Sequence, residues 1–411
     1  ARRSPPRADT PLKLAPGHDP RETPPAMPAR DSRIGVLHVV HSLNIGGAEK
    51  LVHDLALATD GDAFRVEIAC LDGLGALAAG LAVRGYKLHP LERRPGLDTL
   101  LPLRIAELCR RRALSVVHAH QYTPFFYGVL GARLSARARC LFTEHGRHHP
   151  DVRKPKRVAA NAVLARLCDE VVAVSEFTRR ALIENDGFPS EKVRVLYNGV
   201  HLSDPGVGPD RATVRAALGL QPTDRVVGLC ARLSPEKNVP LLVEAFASLR
   251  AAVPEARLVI AGDGPARPEI EASVRRLGLE ADVALLGFRD DVPALMRAFD
   301  VFCLPSLTEG TSITLLEAMN AACPAVVTRV GGNPEIVVDG VTGDCVPSGD
   351  ATALAAALTA MLQEGDRARR MGAAGRARVK ERFTFEGMVL GYEALYRRLG
   401  ASRRFGHLGS T

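Results

Sequence analysis

The sequence predicts an α/β protein of two Rossmann-like domains with parallel sheets, facing each other across a cleft. Three observations carry that expectation. Apolar runs of strand length alternate with amphipathic runs of helix length from Arg33 onward, the pattern of a parallel sheet covered on both faces. The alternation breaks near Tyr197 and, after a stretch rich in Pro and Gly, restarts in the same order of strand, loop and helix. At 411 residues and 46% hydrophobic content, the chain is also long enough for two cores.

The first half opens with the strand IGVLHVV at 34–40. A turn with Gly46 and Gly47 follows, and a helix starts near Ala48 with Leu51, Leu55 and Ala58 on one face. The glycine pair permits close backbone approach, but G-x-G-x-x-G is absent, so this is no dinucleotide fingerprint. Further strands are expected at 65–71, 115–118, 138–143, 170–175 and 193–196, and helices at 76–84, 99–112, 158–167 and 176–185.

The second half restarts with the strand RVVGLC at 225–230, a polar loop at 231–237 and a helix at 239–250 capped by Asn238. Strands at 257–261 and 283–286 follow, with the turns GDGP (262–265) and GFR (287–289) after them and helices at 268–277 and 292–298. Next comes VFCLPSLTEGTSITLLEAMNAAC at 301–323, a buried strand, a polar turn and a helix for which Ser312 or Thr311 serves as N-cap. A strand at 324–327, the Gly-rich turn 331–335 and helices at 351–363 and 367–382 close the half. The expected domains are 33–198 and 199–384. A Pro- and Arg-rich disordered tail at 1–32, with Met27 as an alternative start, precedes them, and a helix and tail at 385–411 follow.

Composition narrows the class. The eight cysteines are scattered through apolar runs without a C-x-x-C pair, which reads as reduced core thiols in a cytosolic protein. No segment is apolar enough to span a bilayer. The net charge of +8 gathers in RHHPDVRKPKR at 147–157 and around Arg397, Arg398, Arg403 and Arg404. With no recognition motif and only 5% aromatic residues, nucleic acid is not the expected partner.

In open parallel sheets, ligands sit outside the carboxyl ends of the strands, so chemistry is sought in the loops that follow strands. Arg232 and Lys237 lie five residues apart after the first strand of the second half. They are either ordinary surface charges or a pair suited to a diphosphate, one a fork and one a point charge. The turn before Ile313 offers free amides and the positive end of a helix dipole to an anion. Glu317 interrupts an apolar stretch and can accept hydrogen bonds from a ribose diol, and Glu309 can accept from sugar hydroxyls.

These motifs, taken together, resemble the retaining glycosyltransferases of family 4. The resembling features are Glu309 and Glu317 in E-x7-E, ARLSPEKN (231–238), GDGP, GGAE (46–49), TEHG (143–146), VSE (174–176) and NGV (198–200). They stand in order from about Arg33 to Arg382. The resemblance implies a GT-B fold and metal-independent transfer of a hexose from a nucleotide sugar, a co-substrate rather than a cofactor. The acceptor would be a glycan or lipid-linked hydroxyl in cell-envelope or exopolysaccharide synthesis.

The resemblance also implies roles for single residues. Arg232 and Lys237 would neutralise the leaving diphosphate, and Glu317 would hold the ribose. Glu309 with Gly310, Thr311 and Ser312 would hold sugar and phosphate, and Phe288 would border the base. His145 would contact the donor sugar near the reaction centre, and Gly47 would let the first-domain loop approach the phosphate. The stretch 147–157 would meet an anionic membrane surface, which makes the expected location cytoplasmic with peripheral contact to the membrane. The alternatives are a nucleotide-sugar epimerase or hydrolase on the same fold, and a non-catalytic nucleotide-sugar-binding protein.

Overall fold

Continuous apolar runs such as IGVLHVV suit strands buried on both faces, and in β1 (Ile34–Val40) every residue from Gly35 on is buried. The computed structural model describes residues 31–146, 153–202 and 208–401. Its first sheet adds β2 (Phe64–Cys70), β3 (Lys87–Pro90), β4 (Val116–His120), β5 (Arg139–Glu144), β6 (Glu170–Ala173) and β7 (Val193–Val195). The seven strands run in the order β3-β2-β1-β4-β5-β6-β7, all pairs parallel.

The second sheet consists of β8 (Arg225–Cys230), β9 (Ala256–Ala261), β10 (Val283–Gly287), β11 (Val301–Leu304), β12 (Ala325–Thr328) and β13 (Gly343–Val346). Its order is β10-β9-β8-β11-β12-β13, again parallel throughout. Strand order reverses between β1 and β4 in one sheet and between β8 and β11 in the other. At such a switch point the loops diverge and leave a crevice. The two-domain α/β reading is therefore what the chain adopts.

Among the strands and the helices longer than one turn, three elements escaped the sequence pattern. The helix Tyr122–Ser135 is apolar on nearly every side and carries Pro124, Gly128 and Gly131. Apolar around most of its circumference, it has no amphipathic period to read. β3 and β13 are four-residue strands with polar or Gly residues, too short for a periodic signal. Asn238 does occupy the cap position of the helix Val239–Ala252, but it sits at φ 48° and its side chain makes no cap hydrogen bond. A short amide side chain tolerates that left-handed conformation.

The domains join twice. Val200 is bonded to the segment 383–385 at the crossover, with Val200 N donating to Phe383 O at 2.9 Å and Phe385 N to Val200 O at 3.0 Å. The helix Phe385–Ala401 then returns to the first sheet, where Met388, Tyr392, Tyr396 and Leu399 pack with Val36, Phe64 and Val116. The predicted terminal helix is thus part of the first domain's core layer. All eight cysteines are buried free thiols.

Candidate functional site at the two switch points

Beyond β11 the chain turns through 305–312 before the helix Ile313–Asn320. Ser312 caps that helix, its hydroxyl accepting from Leu315 N at 3.4 Å, as the hydroxyl pattern predicts. Glu309 is buried in the turn, and one of its oxygens accepts from both Lys237 Nζ and Ser306 Oγ, each at 2.6 Å. Lys237 arrives from the loop after β8, so this pair joins the two strands that flank the switch point.

The turn is held from behind by Gly331 and Gly332. A Cβ on Gly331, which sits at φ +55°, would lie 2.0 Å from Glu309 O, and one on Gly332 would lie 2.0 Å from Gly310 O. No side chain fits there. The predicted residues Glu309, Gly310, Thr311, Ser312 and Lys237 are therefore brought together, with the helix's free amides beside a half-buried cation.

Arg232 stands apart from them. It is exposed, 3.6 Å from Glu236, and pairs with neither Glu309 nor Glu317. Phe288 follows Gly287 at the end of β10 with its ring 57% exposed, available for a planar partner. Glu317 is half-buried, and no hydrogen bond to its carboxyl is present among the described residues. Burial pushes its carboxyl up to about 7, with Asp54 adding to the shift and Lys50 opposing it. Those two charges lie on the first-domain helix Gly47–Ala58, so Gly47 and Glu317 belong to facing walls.

The domains touch across this crevice. The Thr311 hydroxyl donates to Val174 O, and Asn198 Nδ2 donates to Thr311 O at 3.3 Å. A Cβ on Gly310 would lie 2.6 Å from His145 O. Glu335 accepts from the amides of Glu176 and Phe177, each at 2.8 Å, and from Tyr197 OH at 2.9 Å. A carboxylate thus seals the positive end of the helix Glu176–Glu184.

His145 directly follows β5, with Nε2 3.0 Å from His120 Nδ1, and His120 Nε2 lies 2.8 Å from His38 Nδ1. Burial depresses all three imidazoles, His38 to about 3 and His145 to about 4, so each is neutral near pH 7. His120 and Gln121 line a small hollow with His41, Glu49 and Val52. Gln121 holds φ 70°, ψ 168°, a conformation that costs a residue with a side chain on the order of 1 kcal/mol or more and clusters at functional sites.

His38, His118, His120, Ser306 and Glu335 were not among the predicted site residues. One signal was legible: His118 and His120, two apart on an apolar strand, must share a face of the sheet. Of the predicted basic stretch, 147–152 lies outside the described residues. Arg153, Lys154 and Lys156 are exposed, but Arg157 turns inward, 3.6 Å over the Tyr122 ring and 3.3 Å from Asp186. It is held by those partners and is not a free surface charge.

Known proteins share this arrangement. Residues 45–204 match the family described as Glycosyltransferase Family 4, and 210–378 that described as Glycosyl transferases group 1. The N-acetyl-alpha-D-glucosaminyl L-malate synthase of Bacillus anthracis is 29% identical over 309 residues, 74% of this chain and 79% of the relative. The GDP-mannose-dependent alpha-(1-6)-phosphatidylinositol monomannoside mannosyltransferase of Mycolicibacterium smegmatis is 34% identical over 260 residues, 61% of this chain and 67% of the relative. The crystal structure of Anabaena HepE in complex with UDP-glucose is 25% identical with a TM-score of 0.76, covering 89% of this chain and 100% of that one. Two facing parallel sheets, motifs that match in order and relatives of one activity class lead to one conclusion: the chain belongs to the family 4 glycosyltransferases and has their GT-B fold.

Proposed function

We propose that the protein transfers a sugar from a nucleoside-diphosphate sugar to an acceptor hydroxyl with retention of configuration, in the synthesis of a cell-envelope glycan or exopolysaccharide. The observation that carries this reading is Lys237, half-buried beside Glu309 at the head of the helix Ile313–Asn320. A cation and free amides converge there, where a departing diphosphate gathers charge. Such preoriented groups lower a barrier because they need no reorganisation as the charge develops.

In this reading the diphosphate lies over Gly310, Thr311 and Ser312, Lys237 and the exposed Arg232 neutralise it, and Glu317 accepts from the ribose diol. Phe288 borders the base, and the loop of Gly47 closes over the phosphate. The bond between the anomeric carbon and the phosphate oxygen breaks as the acceptor oxygen bonds to the same face. The acceptor proton passes to the departing phosphate oxygen. Glu309 as a covalent nucleophile is disfavoured because one of its oxygens already accepts two hydrogen bonds. Domain contact excludes water that would otherwise hydrolyse the donor. Cationic side chains take the part a metal plays elsewhere, so a chelator should leave turnover unchanged.

The activities for which the relatives are named support a nucleotide sugar as donor and a lipid-linked or small hydroxylated acceptor. Arg153, Lys154 and Lys156 would attract an anionic membrane surface. A thermal-shift panel of UDP-, GDP- and ADP-sugars tests the donor class, since a bound ligand raises the melting temperature by mass action. Incubation of the best donor with glycan acceptors then tests transfer. Donor consumption that yields only free sugar or an epimer, with acceptor present, would overturn the transferase reading.

A further inference from the structure

We infer that His38 and His120 are positioning residues: three imidazoles linked nitrogen to nitrogen, His38–His120–His145, fix which nitrogen of His145 carries its proton. The inference rests on the reading above only for the ligand that His145 faces. The two links are His38 Nδ1 to His120 Nε2 at 2.8 Å and His120 Nδ1 to His145 Nε2 at 3.0 Å. A neutral imidazole has one donor and one acceptor nitrogen, and each link needs one of each.

Only two proton arrangements satisfy both links. In one, all three rings are protonated on Nδ1: His38 donates to His120, His120 donates to His145, and His145 presents an Nδ1–H. In the other, all three are protonated on Nε2 and His145 presents a bare Nδ1. The ends decide between them. His38 Nε2 and His145 Nδ1 are both buried with no hydrogen-bond partner among the described residues. His38 lies in the middle of β1, fully buried beside the His118 and Tyr396 rings. A proton on its Nε2 would be an orphaned donor in the core, which proteins rarely tolerate. His145 instead lies just beyond β5, with its backbone oxygen against Gly310 in the turn where the donor's oxygens would lie. The favoured arrangement therefore leaves His145 a neutral hydrogen-bond donor at Nδ1, available to an oxygen of a sugar or phosphate bound beside that turn.

Burial keeps the chain uncharged, so the proton positions, not net charge, carry the information. His118 stands beside the chain and outside it. Its Nδ1 and Nε2 are taken by Tyr396 OH at 2.7 Å and Thr143 Oγ1 at 2.8 Å. Ligand nitrogens of His38, His118 and His120 lie within 4.8 Å of one another, yet hydrogen bonds already take both nitrogens of His118 and of His120. Gln121, strained at φ 70° and with its amide bonded to Thr143 O at 2.9 Å, anchors the end of β4 where His120 projects.

The test is long-range 15N–1H spectroscopy of histidine-labelled full-length protein, with no substrate added. The expected result is Nδ1–H for His38, His120 and His145. Nε2–H at His145 in the unaltered protein would overturn the inference. His120→Asn keeps an N–H where Nδ1 stood and should preserve the His145 tautomer. His120→Leu should release His145 to Nε2–H, and an unchanged tautomer in that variant would also overturn the inference. If the Leu variant fails to fold, the spectra of the unaltered protein and of His120→Asn still decide. Kinetically, His120→Leu should lower kcat about tenfold to a hundredfold, the range for losing a histidine's orienting partner. KM for the donor should barely move, and His120→Asn should recover most of the rate. Absence of transfer from every donor would sink the transferase reading and leave the tautomer measurement standing.

Discussion

The two domains share a sheet topology, yet the loops at their switch points carry opposite chemistry. After β8 and β11 come charges: Arg232, Lys237 and Glu309, with a helix N-terminus among them. After β1, β4 and β5 come Gly47, His120 and His145, with imidazoles that burial holds neutral. A diphosphate needs countercharge, whereas sugar hydroxyls need oriented donors and acceptors without charge. The same fold serves both because the strands fix where loops emerge and leave their content free.

Removing Lys237 should break this comparison hardest. Lys237→Ala takes the cation from the proposed diphosphate site and leaves Glu309 buried with only Ser306. Turnover should fall about 10²- to 10³-fold, as when one preoriented donor is lost, and stability by roughly 1–3 kcal/mol for the orphaned partner. Adding Glu309→Gln should recover much of the melting temperature and none of the rate. Recovery of both would show that Lys237 serves only the fold.

Glu317 tests whether charge on the second-domain side depends on pH. Its carboxyl is raised to about 7 by burial, so the protonated form is favoured in the empty cleft. That contribution to stability is full below about pH 4.5 and is lost as pH rises through 7. The shift converts at about 1.4 kcal/mol per unit, an upper bound of roughly 3 kcal/mol. Glu317→Gln should therefore gain stability on the parent protein between pH 5 and 8. A ribose diol donating to the carboxylate reverses the preference. Affinity for a nucleotide sugar, whose phosphates keep their charge over this range, should rise up to about tenfold from pH 6 to pH 8 and stay flat in the variant. Calorimetry at both pH values decides; equal slopes would remove Glu317 from the ribose site.

The charged side of the comparison was far more legible in sequence than the neutral side. Strand–loop–helix alternation exposed both sheets, and loop charges such as Lys237 and Glu309 stand out because buried ions demand a reason. The His38–His120–His145 chain did not stand out, since it joins residues 82 and 25 positions apart. A histidine in an apolar strand looks the same in sequence whether it is core filler or part of a network. Glu335 was hidden for the same reason: its partners Glu176 and Phe177 lie 159 and 158 residues away. The helix Tyr122–Ser135 was lost because apolar residues spread around most of a helix erase its periodicity.

Glu335 offers a gentler way to separate the halves. Its carboxylate ties the second domain to the leading amides of Glu176–Glu184, a charge-assisted contact worth about 1–2 kcal/mol. Glu335→Ala should favour separated domains, raising KM for the donor severalfold with a smaller change in kcat, and increase the radius of gyration by small-angle scattering. Unchanged scattering together with unchanged KM would mean the contact does not govern closure.

The smallest expected effect sharpens the comparison at positions where the domains are built alike. Ala136 follows the first-domain helix Tyr122–Ser135 at φ 52°, and Ala322 lies just past the second-domain helix Ile313–Asn320 at φ 57°. Both are non-glycine residues in the left-handed region, where a Cβ crowds its own carbonyl by about 1–2 kcal/mol. Glycine relieves that crowding but loses more chain entropy on folding. Ala136→Gly and Ala322→Gly should each stabilise by roughly 0.5–1 kcal/mol, measured as denaturant midpoints at constant slope. If the gains match, the contrast between the domains lies in their switch-point loops. A destabilised Ala322→Gly alone would mean that the second domain needs a stiff helix end behind its anion site, and the difference would extend into the scaffold.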